Sequence, residues 1–193
     1  DPHLCQPFDA NRRGLNLGEG AGCLLLESDE SVRQSGNRSL AKLTGWANRN
    51  DAFHNTGTSP EGIGAQKAMR TALEIADLKP DQISYINAHG TGTQNNDSSE
   101  LVAMEAVFGD NLPAFSSTKG ATGHTLAASG AIEAVFAVQS LLENCAFGNF
   151  SITEPMTASH SLLRKAVSKD IHHVMSNSFG FGGNSTSLIF SKN

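Results

Sequence analysis

The residues able to do chemistry gather in two short segments. One is Asn87-Ala88-His89-Gly90-Thr91-Gly92-Thr93, the other Ser116-Ser117-Thr118-Lys119-Gly120-Ala121-Thr122-Gly123-His124. Each sets a histidine beside glycine and small hydroxyl residues where an apolar run meets a turn, and the second adds a lysine close by. Two imidazoles and an ammonium on such loops are what a site needs to hold negative charge developing on a carbonyl oxygen. What is missing is a convincing nucleophile. Cys23 falls in an apolar run, Cys145 near the end of an apolar helix, and Cys5 has no base near it in sequence; the first two read as small hydrophobes.

The hydrophobic pattern predicts the elements that position these groups. Residues 83–88 form a compact strand that delivers His89 into a Gly/Thr turn, and residues 114–116 a short strand that delivers Lys119. Residues 125–142 are apolar on nearly every face, which predicts a helix buried all round, with Glu133 inside it in need of a partner. Asp97-Ser98-Ser99-Glu100 reads as a capping box opening a helix that Gly109 stops. Ser59-Pro60-Glu61 opens another, running to Asp77. Residues 20–27, 40–48, 171–177 and 185–190 read as strands, with a glycine turn over 179–184. Residues 50–58 read as loop, and 147–169 as loop with a short helix. Strands alternating with helices predict a layered α/β fold covered by helices on both faces.

Each chemical reading has a bland counterpart. His89 alone is more simply a histidine bonded to a turn carbonyl, His124 a helix cap, and Lys119 an ordinary solvated lysine. The three together shift the reading toward function. A helix start lowers a histidine pKa, and a neighbouring lysine adds like-charge repulsion, so a neutral His124 can donate to an oxyanion without becoming charged. Glu133 is a candidate counter-ion for Lys119.

Composition closes off other classes. With 38% hydrophobic and 17% charged residues the chain is neither disordered nor highly charged. A net charge of −5 and pI near 5.8 argue against a nucleic-acid partner. Three irregularly spaced cysteines fit a reducing compartment. No signal peptide and no bilayer-length apolar run is read, so a soluble cytoplasmic protein with no membrane partner is expected. His172-His173 would point to opposite faces of a strand and no Cys-x-x-Cys pair exists, so no metal is expected. The glycine runs at 18–22 and 180–183 match neither dinucleotide nor phosphate-loop patterns. The chain opens on Asp1, which reads as a fragment or one part of a longer polypeptide.

Taken in order, the motifs resemble the C-terminal half of a β-ketoacyl-acyl-carrier-protein synthase of the thiolase-like superfamily. The resemblance is carried by Pro7-Phe8-Asp9 with Arg12, Gly14 and the 18–22 run. It continues through Asn87-Ala88-His89-Gly90-Thr91, then Ser117-Thr118-Lys119 with Thr122-Gly123-His124, and closes on Asn177-Ser178-Phe179-Gly180-Phe181-Gly182-Gly183. It covers nearly the whole chain. It is closer to elongating and polyketide enzymes than to the initiating type, which has asparagine for the second histidine.

The resemblance implies a duplicated fold in which residues 1–193 supply the second half, a mixed sheet covered by helices. It implies decarboxylative condensation in fatty-acid or polyketide synthesis, with His89 and His124 stabilising the enolate and oxyanions. Lys119 would tune and anchor the histidines, and Glu133 and Asp97 would support them. Thr91 and Thr93 would bind the phosphopantetheine arm. Phe179, Phe181 and Gly182 would contact substrate, with Phe181 gating the acyl pocket, and Arg12 would dock the acidic carrier protein. No free cofactor is implied, since phosphopantetheine arrives on the carrier. The expected partners are the acyl carrier protein, the N-terminal half with its nucleophilic cysteine, and a second subunit in a homodimer or heterodimer. Three departures stand out: no nucleophile segment, Asn95-Asn96-Asp97 where the family usually has Gly-Asp, and no recognisable asparagine-rich loop near 147–154. The isolated chain is therefore expected to be inactive, and the second departure points to a specialised or accessory synthase. The alternatives are a non-catalytic partner of the chain-length-factor kind and a stand-alone binding module.

Overall fold

The computed structural model describes residues 3–193. Its centre is a five-stranded mixed sheet in the order β1-β7-β6-β2-β3, made of β1 (Lys42–Asn50), β2 (Tyr85–Asn87), β3 (Ala114–Ser116), β6 (His173–Gly180) and β7 (Asn184–Ser191). β2 runs parallel to both β3 and β6, while β7 is antiparallel to β6 and β1. A small ribbon joins β4 (Cys145–Ala146) to β5 (Val167–Ser168). The helices are α1 (Asp29–Ser35), α2 (Ile63–Ala76), α3 (Gln94–Phe108), α4 (Lys119–Thr122) and α5 (Ser129–Glu143).

Strand alternation divides the core between the two faces. Ile86, Met175 and Ile189 pack with Met69 and Met104 of α2 and α3. Tyr85, Val174 and Phe190 pack with Ala137 and Leu141 of α5. The α/β layering expected from the pattern is therefore present, with helices on both faces.

Several local expectations fail. Residues 20–27 form no strand: Cys23, Leu25 and Leu26 are exposed, Leu25 to 85%. The segment has no ladder partner among the described residues, and a strand is defined by its partner. Its glycines serve close packing instead, since a Cβ on Gly22 would lie 2.7 Å from the Ala131 carbonyl carbon. α2 begins at Ile63, and Ser59 Oγ accepts from Ile63 N from the preceding turn. Residues 147–169 contain no helix, and Phe179 and Gly180 extend β6.

α5 is buried on one side only. Glu133, Ala134, Ala137 and Leu141 face the interior, while Ile132, Val135 and Phe136 are half-buried, because one sheet face covers one helix face. The stretch Leu126–Glu143 is, by length and composition, long and apolar enough to cross a membrane, contrary to the expectation above. Here it packs against β6 with a buried carboxylate at its middle.

Candidate active site

The parallel strands β2 and β3 end side by side, Asn87 opposite Ser116, and both chains turn there. The turn after β2 carries His89 and the one after β3 carries Lys119, so neighbouring strand ends bring together residues thirty positions apart. Ser117 Oγ donates to Gly90 O at 2.8 Å and locks the two turns together. His124 follows α4, and its backbone is held from the side: His124 N donates to Asn16 O at 2.7 Å and Gly18 N to His124 O at 3.1 Å.

The rings of His89 and His124 meet edge to face with centroids 5.2 Å apart, and both line one cavity of about 740 Å³. Lys119 lies fully buried behind them. Its three ammonium protons go to His89 Nδ1 at 3.2 Å, to His89 O at 2.6 Å, and to Glu133 Oε1. Glu133 is held further by Ser129 Oγ at 3.2 Å and Ser178 Oγ at 3.4 Å. An ammonium has no acceptor, so His89 Nδ1 must accept, and the ring carries its proton on Nε2. His124 Nδ1 accepts from Leu126 N at 3.1 Å, which fixes the same tautomer. Burial, then the Lys119 charge, then His124 hold His89 well below the ordinary histidine pKa. Burial and Lys119 bring His124 down to about 4. The pocket thus presents two neutral Nε2–H donors, preset to receive negative charge without changing protonation.

Thr91 and Thr93 line the cavity, their hydroxyls 2.8 Å apart. Phe179 packs its ring 5.6 Å from His89, and Phe181, 77% exposed, lines the cavity's outer part. Gly182 follows Phe181 and is bonded to Asn50 at the end of β1 and to Asn55 in the loop after it. Arg12 is not placed for docking. It is 7% exposed, and its guanidinium donates to the carbonyls of Asp9, Thr93 and Gln94 and to Ser98 Oγ. Asp97 opens no capping box, because α3 begins at Gln94. Its buried carboxylate accepts from Phe8 N and Gly92 N, 3.7 Å from Arg12 Nε. Asp97 and Arg12 together pin the histidine loop to the segment before Gly14. Cys5 is buried under that loop with its thiol against Thr91 O, and burial pushes it up to about 11.

Sequence reasoning missed Glu100. Its carboxylate accepts from both His89 N at 2.9 Å and Gly90 N at 2.8 Å, with Asn177 Nδ2 at 3.3 Å. Burial drives it up to about 7. The available signal was a carboxylate on the apolar side of α3, one turn before Met104. Asn87, whose Nδ2 donates to Glu133 O at 3.3 Å, was missed in the same way.

Residues 40–152 match the family model described as Beta-ketoacyl synthase, C-terminal domain. The chain belongs to that family. This synthase domain is 38% identical over 192 residues to 3-oxoacyl-[acyl-carrier-protein] synthase 2 of Staphylococcus aureus (strain COL), covering 97% of the chain and 46% of the relative. It is 39% identical to the mitochondrial 3-oxoacyl-[acyl-carrier-protein] synthase of Arabidopsis thaliana, covering 96% and 42%. Among solved structures, a β-ketoacyl synthase from Burkholderia phymatum STM815 superposes with TM-score 0.89 at 36% identity, over all of this chain and 47% of that one. A type II PKS ketosynthase, solved with its acyl-carrier protein and bound to the hexaketide, gives 0.92 at 30% identity, over 98% and 48%. The synthase domain therefore spans about half the length of the relatives it matches. Its fold is the thiolase-like α/β fold of the ketosynthases.

Proposed function

We propose that this domain supplies the oxyanion-binding half of an elongating β-ketoacyl-carrier-protein synthase. The observation that carries the reading is the pair of neutral Nε2–H donors, His89 and His124, on one cavity with Lys119 behind. The cysteine comes from sequence outside residues 1–193, since Cys5 is buried and raised in pKa and nothing in the site activates it. Its sulfur attacks the carbonyl of a carrier-bound acyl thioester and releases the carrier thiol. A malonyl thioester then loses carbon dioxide. The carbanion left at its C2 attacks the acyl carbonyl and expels the cysteine thiolate. His89 and His124 bind the thioester oxygen of the enolate, and then the oxygen of the tetrahedral adduct.

Thr91 and Thr93 hold the phosphopantetheine arm, Phe181 gates the pocket, and no free cofactor takes part. The partners are an acyl carrier protein, the half that bears the cysteine, and a second subunit of the same or related kind. The setting is the cytoplasm, in fatty-acid or polyketide synthesis. A non-catalytic partner of the chain-length-factor kind has no use for two preset donors and a fully bonded lysine, and that separates the two readings.

The test uses the synthase that contains this chain. His89→Ala and His124→Ala should each lower condensation about a hundredfold, the loss typical of one oxyanion donor. Acyl loading onto the cysteine, followed by intact mass, should survive. Condensation kinetics unchanged in His89→Ala overturn the proposal.

A further inference from the structure

A second groove, of about 580 Å³, lies beside the β4–β5 ribbon and shares no lining residue with the cavity of His89 and His124. Local chain geometry makes it. Leu162 pairs with Phe115 of β3, and the chain then bends at residues 164–165 before it enters β5. In an extended strand Arg164 and Lys165 would point to opposite sides; across the bend, both line one groove. Gly148 makes room for the bend, since a Cβ there would lie 2.3 Å from the Lys165 carbonyl carbon. Ile152 and Leu162 are buried and form an apolar floor, while Phe150, 65% exposed, and Val167 keep apolar surface open to solvent. Among the described residues, Arg164 and Lys165 take no hydrogen bond and no ion pair, and no acidic side chain lines the groove. Two adjacent unpaired cations beside exposed apolar surface are a local exception in a chain of net charge −5.

We infer that this groove is a binding site for the anion of a medium-chain fatty acid, with the alkyl chain on Ile152, Leu162 and Phe150 and the carboxylate on Arg164 and Lys165. The volume is that of a small-molecule site. An apolar floor takes methylenes, and burying them there supplies most of the affinity. A carboxylate has two acceptor oxygens and no donor, which matches a guanidinium and an ammonium that offer donors only. A neutral amphiphile leaves both cations without an acceptor, and a cationic one is repelled by them. The acyl thioester proposed above as substrate gives this anion when water cleaves it and the carrier thiol departs. The choice of a fatty acid among amphipathic anions rests on that reading; the groove and its charge do not.

The experiment photolabels the synthase that contains this chain with dodecanoic acid carrying a diazirine near the end of its alkyl chain, and maps the labelled peptides by mass spectrometry. The matching alcohol and the matching alkylammonium are run beside it. The acid should label residues 150–167 saturably. The alcohol should bind there about tenfold more weakly, the worth of two exposed ion pairs, and the ammonium should leave the segment unlabelled. Arg164→Gln with Lys165→Gln should bring the acid down to the level of the alcohol. Arg164→Lys with Lys165→Arg, which keeps both charges, should restore it. Phe150→Ala should weaken acid and alcohol alike. These three side chains are exposed, and an unchanged melting temperature shows that each variant is folded. Acid labelling confined to the cavity of His89 and His124 overturns the inference. So does labelling of 150–167 that is equal for acid and ammonium, or that the paired Gln substitutions leave unchanged. The readout involves no turnover, so each of these results leaves the condensation reading to its own test.

Discussion

Lys119 Nζ stands 3.2 Å from His89 Nδ1 and donates to it, so a buried cation fixes the tautomer of one ring, while burial and then its charge keep both rings neutral. Both rings are therefore held as neutral donors near neutral pH.

The first prediction concerns protonation. His124 should titrate with a midpoint near 4, and the His89 midpoint should lie well below the ordinary histidine value. Ring carbon shifts by NMR measure both. The sign for stability follows. Folded pKa values below the unfolded value of about 6.5 mean that the unfolded chain takes up protons the folded one refuses. The stability these rings contribute is fully present above about pH 6.5 and is lost as pH falls through the folded values. A His124 midpoint near 6.5 would show that neither burial nor the cation behind the rings acts on it.

Removing the cation should be costly and should release the ring. In Lys119→Met the buried Glu133 loses its partner, with an expected loss of about 3–5 kcal/mol in urea unfolding. The His124 midpoint should rise above 4. Adding Glu133→Leu should recover much of the stability and leave the ring effect in place, which separates the structural role of the lysine from its electrostatic one.

Glu100 acts on the backbone of the histidine loop. Its side-chain carbon should titrate near pH 7 by NMR. Here the sign is opposite. A carboxyl raised in the folded state favours folding at low pH, and its contribution falls as pH climbs from about 4.5 to 7, then levels. Glu100→Ala strands two buried N–H groups, His89 N and Gly90 N, and should cost about 2–4 kcal/mol, again read from urea unfolding.

Gly18 is where the glycine-rich segment touches the site. A Cβ there would lie 2.0 Å from the Thr122 carbonyl oxygen, and Gly18 N bonds to His124 O. Gly18→Ala must push the two segments apart and carry His124 with it. The expected result is about 1–3 kcal/mol of lost stability, with a changed His124 ring shift and an unchanged His89 ring shift. Equal changes at both rings would mean general loosening, not displacement of one loop.

Sequence by itself determined the strands that carry the chemistry. Residues 83–88 and 114–116 are apolar, too short for a helix and followed by turn residues, the pattern of a buried sheet strand; β2 and β3 follow. The family motifs, the loop positions of His89 and Lys119, and the pairing of Glu133 with Lys119 were equally legible, because a carboxylate in an apolar helix needs a partner. The partners of Asp97 and Glu100 were not. Which way a helical side chain points depends on where its helix starts, and α3 starts at Gln94. The turn therefore carries both carboxylates into the protein, where they hold the histidine loop rather than cap their own helix. Arg12 was assigned to carrier docking by the resemblance alone, because its acceptors, the Thr93 and Gln94 carbonyls, lie about eighty residues away and are not legible from the sequence. Residues 20–27 read as a strand because their pattern is a strand's; whether a strand forms depends on a neighbouring edge, which is a property of tertiary structure. Local pattern fixes conformational preference, while hydrogen-bond partners and burial come from contacts between distant parts of the chain, and those were decided only by the fold.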